Sequence, residues 1–167
     1  MHIARNSRIF KHATLLQINL LVWYDVMTKT LLLKEHIRPT QIRIDMLRLF
    51  LDSVCALSIA DIRNQLGDYC DRVTIYRTLN TFLDHSIIHK ILMGTDGVKY
   101  AMNRALRGDD GNMTNNHVHF RCEICDKVYC LDVSGNNPVI LPDGFEFHSS
   151  VMIVNGKCEN CSTNSSN

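Results

Sequence analysis

The sequence predicts an α+β fold in which a winged helix-turn-helix precedes a small domain with a four-cysteine zinc site. Three observations support this prediction. Residues 40–84 contain three successive helix patterns, each with one apolar face. Residues 87–102 then read as two strands around a Gly-containing turn. Two Cys-x-x-Cys pairs follow in the last third of the chain.

The composition is that of a folded protein with nearly balanced charge. A hydrophobic fraction of 46% over 167 residues suits one ordinary domain or two small ones and excludes wholesale disorder. The net charge of +1 excludes a highly basic nucleic-acid coat. Residues 1–27 and 28–93 each carry +2, however, and residues 94–167 carry −3. The first 93 residues therefore approach a polyanion more easily than the rest.

The seven cysteines point to a reducing compartment. A secreted disulfide scaffold is normally shorter, has an even cysteine count and begins with a signal peptide. The apolar stretch 13–23 is interrupted by Gln17 and Asn19, precedes no small-residue cleavage site and is too short to span a bilayer. We therefore expect a cytoplasmic protein with no membrane partner.

The first two predicted helices begin at capping residues. Thr40 caps a helix that runs to about Leu51. Ser58 followed by Asp61 is a capping-box pattern at the start of the second helix, and Gly67 ends that helix. Apolar residues three and four positions apart give each helix one face to bury.

The third predicted helix begins after Asp71 and carries the residues best suited to contact nucleic acid. In a helix-turn-helix the recognition helix lies in the DNA major groove. Its buried stripe is predicted to be Ile75, Leu79, Phe82 and Leu83. Its exposed face would show Arg72, Thr74, Arg77, Thr78 and Thr81, with Tyr76 at the edge, all able to reach base edges or phosphates. An ordinary solvated helix face would have the same pattern.

The strongest chemical signal in the chain is the set Cys122, Cys125, Cys158 and Cys161. A two-residue spacer lets both sulfurs of a tight turn face one point, and two such turns complete a tetrahedron of thiolates around zinc. The 32 residues between the pairs must contain a small sheet that returns the chain to its start. Four thiolates leave no open coordination position, so this zinc would be structural. A redox-active or merely buried set of cysteines is the alternative.

A second, looser constellation centres on His117 and His119, which alternate on one face of a predicted strand. Two imidazoles at this spacing suit one metal ion. The candidate partners are Cys130, Asp132, His148 and, from the hairpin, His89. Surface histidines without a function are the alternative.

Four runs of residues resemble the ferric uptake regulator family of metal-responsive repressors. They are Arg38-Pro-Thr-Gln-Ile-Arg43, Val73-Thr-Ile-Tyr-Arg-Thr-Leu79, His117-Val-His-Phe-Arg-Cys-Glu-Ile-Cys125 and Gly156-Lys-Cys-Glu-Asn-Cys161, and their order and spacing agree over residues 28–161. The resemblance implies a winged helix that binds DNA, a C-terminal α/β domain that forms a homodimer, and structural zinc in the paired Cys-x-x-Cys motifs. It also implies that Tyr76 and Arg77 reach bases or phosphates and that Arg43 contacts DNA.

The same resemblance implies a regulatory metal site, and here the chain departs from the usual ligands. Ala56, Ala101 and Asn103 stand where family members usually place a ligand, and His148 lies two residues from an expected histidine. The remaining set is His89, His117 and His119, with Cys130 or water as the fourth ligand. Imidazole and thiolate together favour zinc over a hard ion, with iron and manganese as the other candidates.

These signals divide the chain into five parts. Residues 104–116 are rich in Gly, Asp and Asn, which predicts a linker, and Asn155-Gly156 predicts a turn. The last six residues are small and polar. The predicted order is an N-terminal extension (1–27), a winged-helix DNA-binding domain (28–103), the linker (104–116), a dimerisation and zinc-binding domain (117–161) and a disordered tail (162–167).

The expected function is a metal-dependent transcriptional repressor that binds a pseudo-palindromic operator on double-stranded DNA as a homodimer and controls metal-ion homeostasis. A zinc-stabilised DNA-binding protein without metal sensing and a zinc-held scaffold are the alternatives. An enzyme is not expected. The chain has no His-x-Glu with a Pro-Cys-x-x-Cys pair, no His-Glu-x-x-His, no Gly-rich phosphate loop and no nucleophile elbow.

Overall fold

The structure is a computed structural model that describes residues 15–94, 97–103, 106, 118–131, 141–146 and 150–163, with side chains from Val22 onward. The chain divides into two compact units, one ending at Arg48 and the other beginning at Leu49. Apart from Leu106, the predicted linker lies outside the described residues, as do residues 1–14 of the extension and 164–167 of the tail.

The described residues of the first unit contain two helices. Helix α1 spans Leu15–Lys34, and helix α2 spans Gln41–Asp52, whose last turn belongs to the second unit. Asp25 forms ion pairs with Lys29 at 2.6 Å, one turn further along α1, and with Arg48 on α2. Helix α1 runs across the predicted boundary between extension and DNA-binding domain. None of the described helices is long and apolar enough to cross a membrane.

Helix α3 (Ile59–Leu66) begins where its capping box predicts. The Ser58 hydroxyl accepts from the N–H of Asp61, and the Asp61 carboxylate accepts from the N–H of Ser58. Gly67 ends the helix with a φ of 62°, a backbone region that favours glycine, and begins a short 3-10 turn, Gly67–Tyr69. The local signals therefore place both ends of α3 correctly.

Replacing Ser58 by alanine is expected to lower the free energy of unfolding by about 1 kcal/mol, because the N–H of Asp61 loses its acceptor. The midpoint of urea unfolding measures this change. Asn64→Ala, at an exposed position on the same helix, is the control and should stay within about 0.5 kcal/mol of the parent protein. Equal midpoints for the two variants would show that the cap does not stabilise the fold.

Helix α4 spans Arg72–Asp84, and Asp71 caps it by accepting from the N–H of Thr74 at 3.0 Å. Its buried face contains Ile75, Thr78, Leu79 and Phe82. The apolar members of this face, which recur every three or four residues, are three of the four in the predicted stripe. The fourth, Leu83, is half-buried.

Strands β1 (Leu57–Ser58), β2 (Ile88–Leu92) and β3 (Val98–Met102) form an antiparallel sheet in the order β1-β3-β2. Strands β2 and β3 are here called the wing, and their register sets His89 opposite Ala101. The order α2, α3, α4 and wing along the chain is the one that the sequence predicts for a winged helix-turn-helix.

Strands β4 (Val118–Cys122), β5 (Val128–Leu131) and β6 (Met152–Gly156) form a second sheet in the order β5-β4-β6. Strand β4 is antiparallel to β5 and parallel to β6, and a parallel partner needs a long crossover connection. This requirement accounts for the wide gap between the two Cys-x-x-Cys pairs. The turn predicted at Asn155-Gly156 is wrong, because both residues pair with β4. Helix α5, Glu159–Thr163, extends two residues into the predicted tail.

The two sheets of the second unit pack against each other through an apolar cluster. Its buried members are Ala56, Ile91, Met93, Ala101 and Val128, with Cys130 and Ile153 packed against them. The N–H of Ala56 also donates to the carbonyl oxygen of Val128 at 2.7 Å. The wing therefore lies against the second sheet, and side chains far apart in the sequence meet there.

A charged contact, here called the Asp126 clasp, joins the same two sheets. Lys99 of β3 donates to the backbone oxygen of Asp126 and, at 3.1 Å, to its carboxylate. The Nε of Arg121 on β4 donates to the other carboxylate oxygen at 2.8 Å. Hydrogen bonds from Arg121, the largest contribution, and from Lys99 lower the pKa of Asp126. Because Asp126 directly follows Cys125, the Asp126 clasp connects the wing to the turn that contains Cys125.

Candidate metal centres and nucleic-acid interface

The four paired cysteines converge at one end of the second sheet. Cys122 ends β4 and pairs in register with Gly156, the last residue of β6. Cys158 follows two residues later, Cys161 lies in α5, and Cys125 lies in the turn after β4. The four sulfur atoms all lie within 4.8 Å of one another. The structure thus brings together all four cysteines of the predicted site.

The donor set and its spacing fit a closed structural zinc site. In a tetrahedron with Zn–S bonds of about 2.3 Å, neighbouring sulfurs lie about 3.8 Å apart. The sulfurs of Cys125 and Cys158 are 3.8 Å apart. Four thiolates complete the coordination, so an ion held there would stabilise the fold and leave no position for a substrate.

Hydrogen bonds within the cluster favour ionisation of two of its thiols. The N–H of Cys158 donates to the sulfur of Cys122 at 3.4 Å. This hydrogen bond, together with those from the N–H groups of Cys125 and Ile124, lowers the pKa of Cys122 to about 6. The N–H of Cys161 lowers the pKa of Cys158 in the same way, while a hydrogen bond with the Cys158 side chain raises the pKa of Cys161 to about 12. Four thiolates this close repel one another, so full ionisation requires a cation between them.

A second cluster of ligand atoms joins the wing to the second sheet. His119 on β4 pairs directly with Cys130 on β5, so their side chains lie on one face of the sheet. The packing of the two sheets brings His89 of β2 to that face. The three ligand atoms lie within 4.8 Å of one another. His119 is buried, and the other two residues are half-buried.

The distances within this cluster match those around tetrahedral zinc. The Nε2 atom of His89 lies 3.2 Å from Nε2 of His119 and 3.7 Å from Sγ of Cys130. Zn–N bonds of about 2.0 Å and a Zn–S bond of about 2.3 Å give an N–N separation of about 3.3 Å and an N–S separation of about 3.5 Å. The three groups fit one ion and leave one tetrahedral position for a further ligand.

Ala56, Ala101 and Asn103, which stand at positions where the resemblance implies metal ligands, do not lie among the three ligand atoms. Ala56 and Ala101 are buried in the apolar cluster and offer no ligand atom. Asn103 faces His89, with its Oδ1 2.9 Å from the Nδ1 of the imidazole. Three sequence candidates, His117, Asp132 and His148, lie outside the described residues.

In the sequence, Asn103 stands out only as a missing ligand. The register of the hairpin is the signal that identifies His89 as its neighbour. Because His89 pairs with Ala101, the residue two positions further along lies diagonally across from His89 on the same face. That residue is Asn103.

The first half of α4 presents the predicted DNA-contacting side chains. Arg72, Tyr76 and Arg77 are exposed. The guanidinium of Arg72 lies over the Tyr76 ring, 5.5 Å from its centroid, and donates to its hydroxyl at 3.2 Å. This pair, one helical turn apart, holds both side chains together on the helix surface.

Two of the three threonines of this helix, Thr74 and Thr78, have surroundings that differ from each other. Assigning Thr78 to the exposed face is wrong, because it follows Ile75 by one turn and is only 3% exposed. Thr74 is half-buried, and its hydroxyl donates to the Asp71 carboxylate at 2.6 Å. Hydrogen bonds from Thr74 lower the pKa of Asp71, so this threonine reinforces the helix cap.

Arg43 lies on α2, in the first unit, and is half-buried. Its Nη1 donates to the carbonyl oxygen of Arg38 at 2.9 Å. This bond holds the guanidinium beside the segment that leads into α2.

Comparison with known sequences points to a single family. The sequence profile of the ferric uptake regulator family matches residues 34–135, more than half of the chain. Among curated proteins, none matches the sequence.

Solved structures with the same fold include iron, zinc and manganese regulators. A ferric uptake regulator from Francisella tularensis with iron is 24% identical with a TM-score of 0.55, covering 75% of this chain and 95% of that chain. A zinc uptake regulator complexed with zinc and DNA is 20% identical with a TM-score of 0.65, covering 87% and 97%. A zinc-bound manganese uptake regulator is 17% identical with a TM-score of 0.56, covering 79% and 98%. These matches confirm the predicted fold class.

Proposed function

Because this chain belongs to the ferric uptake regulator family, whose members are metal-responsive transcriptional regulators rather than enzymes, we propose that it is a metal-dependent repressor. In this proposal it binds a pseudo-palindromic operator as a homodimer in the cytoplasm and controls metal-ion homeostasis. Residues 28–103 form the DNA-binding domain and residues 117–161 the dimerisation domain, joined by the linker 104–116.

The observation that carries the proposal is the cluster of His89, His119 and Cys130. It takes one ligand from the wing and two from the second sheet. An ion that binds only when the two sheets are packed in this way stabilises that arrangement at the expense of others. The cluster therefore couples metal binding to the position of the wing.

The ligand types favour zinc as the sensed metal. Two imidazoles and a thiolate suit a borderline ion better than a hard, oxygen-seeking one. His117 or water would complete the tetrahedron. Iron and manganese are the other candidates, and the cysteine cluster at the end of the second sheet holds the structural zinc.

The DNA-contacting residues are Arg43, Arg72, Thr74, Tyr76 and Arg77. Helix α4 would enter the major groove, where its arginines reach guanine edges or phosphates. Two copies of α4 in a symmetric dimer read two half-sites, which is why the operator is expected to be pseudo-palindromic.

Regulation follows from the way the wing is held. The apolar cluster and the Asp126 clasp set the wing against the second sheet, and an ion bound between His89 and His119 would cross-link the same two sheets. A coupling free energy of about 1–3 kcal/mol would raise operator affinity roughly 5- to 150-fold.

Operator binding measured against metal concentration tests the proposal. A palindromic duplex is first selected from a random library with the zinc-loaded full chain. Its affinity is then measured by fluorescence anisotropy with Zn²⁺, Fe²⁺ or Mn²⁺, and with a chelator as control. We expect tighter binding with at least one of these ions, zinc foremost. An affinity that responds to none of them would refute metal sensing.

Arg77→Ala is expected to weaken operator binding by about 1–3 kcal/mol and, if the contact is to phosphate, to reduce the slope of log affinity against log salt by about 1. Lys34→Ala, which removes an exposed charge from the end of α1, is the matched control. Equal affinities and salt slopes for the two variants would exclude Arg77 from the interface.

One observation favours a second candidate function, a zinc-stabilised DNA-binding protein without metal sensing. The apolar cluster, the hydrogen bond from Ala56 to Val128 and the Asp126 clasp already join wing and second sheet through protein groups alone. A protein of this kind would bind the selected operator equally well before and after removal of exchangeable metal.

A further inference from the structure

We propose that Asn103 is a positioning residue that fixes the tautomer of His89 and so keeps its Nε2 lone pair directed at the regulatory metal site. The inference rests on the proposed function and adds a residue that supplies no ligand atom. Two contacts carry it. Asn103 Oδ1 lies 2.9 Å from His89 Nδ1, and the amide nitrogen of Asn103 donates to the backbone oxygen of Ser86.

The orientation of the Asn103 amide follows from hydrogen-bonding chemistry. The backbone oxygen of Ser86 can only accept, so the amide atom that faces it must be the NH₂ group. The amide oxygen then faces His89. Because this oxygen can only accept, Nδ1 of His89 must carry the hydrogen, and the lone pair of the neutral imidazole lies on Nε2.

The hairpin backbone holds Asn103 in place. Its N–H donates to the carbonyl oxygen of Ile87 at 2.8 Å, which continues the β2–β3 ladder one residue beyond β3. The backbone of Asn103 is therefore held in position, and its side chain lies on the same face of the hairpin as His89.

The selected tautomer matters because Nε2 is the atom that faces the other two ligands. It lies 3.2 Å from His119 Nε2 and 3.7 Å from Cys130 Sγ. With the hydrogen on Nε2 instead, the ring would have to exchange tautomers before it could bind an ion. An acceptor at Nδ1–H also makes the imidazole a better ligand, and such outer partners are worth roughly 10- to 100-fold in metal affinity.

The test compares Asn103→Leu, which keeps the size but removes the acceptor, with Asn103→Asp, which keeps an acceptor. Asn64→Leu, at an exposed position on α3, is the control. Long-range ¹H–¹⁵N correlation spectra of the full chain, with its structural zinc and no exchangeable metal, report the His89 tautomer. Competition with a chromogenic chelator gives the affinity for a second Zn²⁺ ion.

We expect Nδ1–H on His89 in the parent protein, the control and Asn103→Asp, and loss of this preference in Asn103→Leu with zinc affinity reduced roughly 10- to 100-fold. A parent protein with the hydrogen on Nε2, or an Asn103→Leu variant with parental zinc affinity, overturns the inference alone. A parent protein that takes up no second Zn²⁺, Fe²⁺ or Mn²⁺ ion overturns the proposed function and this inference together.

Discussion

Cys158→Ser is expected to lose the structural zinc and to unfold the second sheet. Structural zinc contributes about 10–16 kcal/mol of binding free energy in small zinc domains, as much as the entire stability of an ordinary domain. Loss of the zinc should destabilise β4 and β6 together. Cys122 ends β4 opposite Gly156, the last residue of β6, and Cys158 follows two residues later. Native mass spectrometry after removal of exchangeable metal should find one zinc per parent chain and none in the variant. The far-ultraviolet circular dichroism spectrum of the variant should show a reduced β-strand signal.

Cys55→Ser is the matched control for this experiment. Cys55 is a half-buried free cysteine beside Ser53 and belongs to neither cluster of ligand atoms. This control should keep one zinc and the parental melting temperature. A Cys158→Ser protein that keeps its zinc and melts with the parent would contradict the structural role, as would a parent protein that stays folded when fully stripped of metal.

The second large effect is expected at the regulatory site. His89→Ala removes the only wing ligand among the described residues, and Cys130→Ser removes the thiolate. Each should lower the affinity for the second metal by more than the roughly 10- to 100-fold that an outer partner is worth. The metal-induced gain in operator affinity, roughly 5- to 150-fold in the parent protein, should disappear in both variants. Chelator competition and fluorescence anisotropy measure the two quantities.

His85→Ala provides the control, since it removes an exposed histidine at the end of α4, four residues before His89. It should bind metal and respond to it as the parent protein does. If His89→Ala and Cys130→Ser keep the full metal response, the sensed ion binds elsewhere and the cluster between wing and second sheet has no regulatory role.

The sequence alone determined the features that depend on near neighbours in the chain. The caps at Ser58 and Asp71 and the end of α3 at Gly67 could be predicted because each depends on hydrogen bonds or backbone angles within a few residues. Each Cys-x-x-Cys pair was predictable for the same reason, since its turn brings two sulfurs together locally. The meeting of the two pairs depends on the pairing of β4 with β6.

Which distant residues meet depends on long-range packing, and the sequence alone does not show it. The parallel pairing of β4 with β6, against the turn predicted at Asn155-Gly156, depends on a crossover whose path no local pattern reveals. The burial of Ala56 and Ala101 and the approach of His89 to Cys130 depend on the packing of one sheet against another. Register and sheet packing are long-range properties. They alone decide which candidate ligands share one face and that Asn103 lies beside His89.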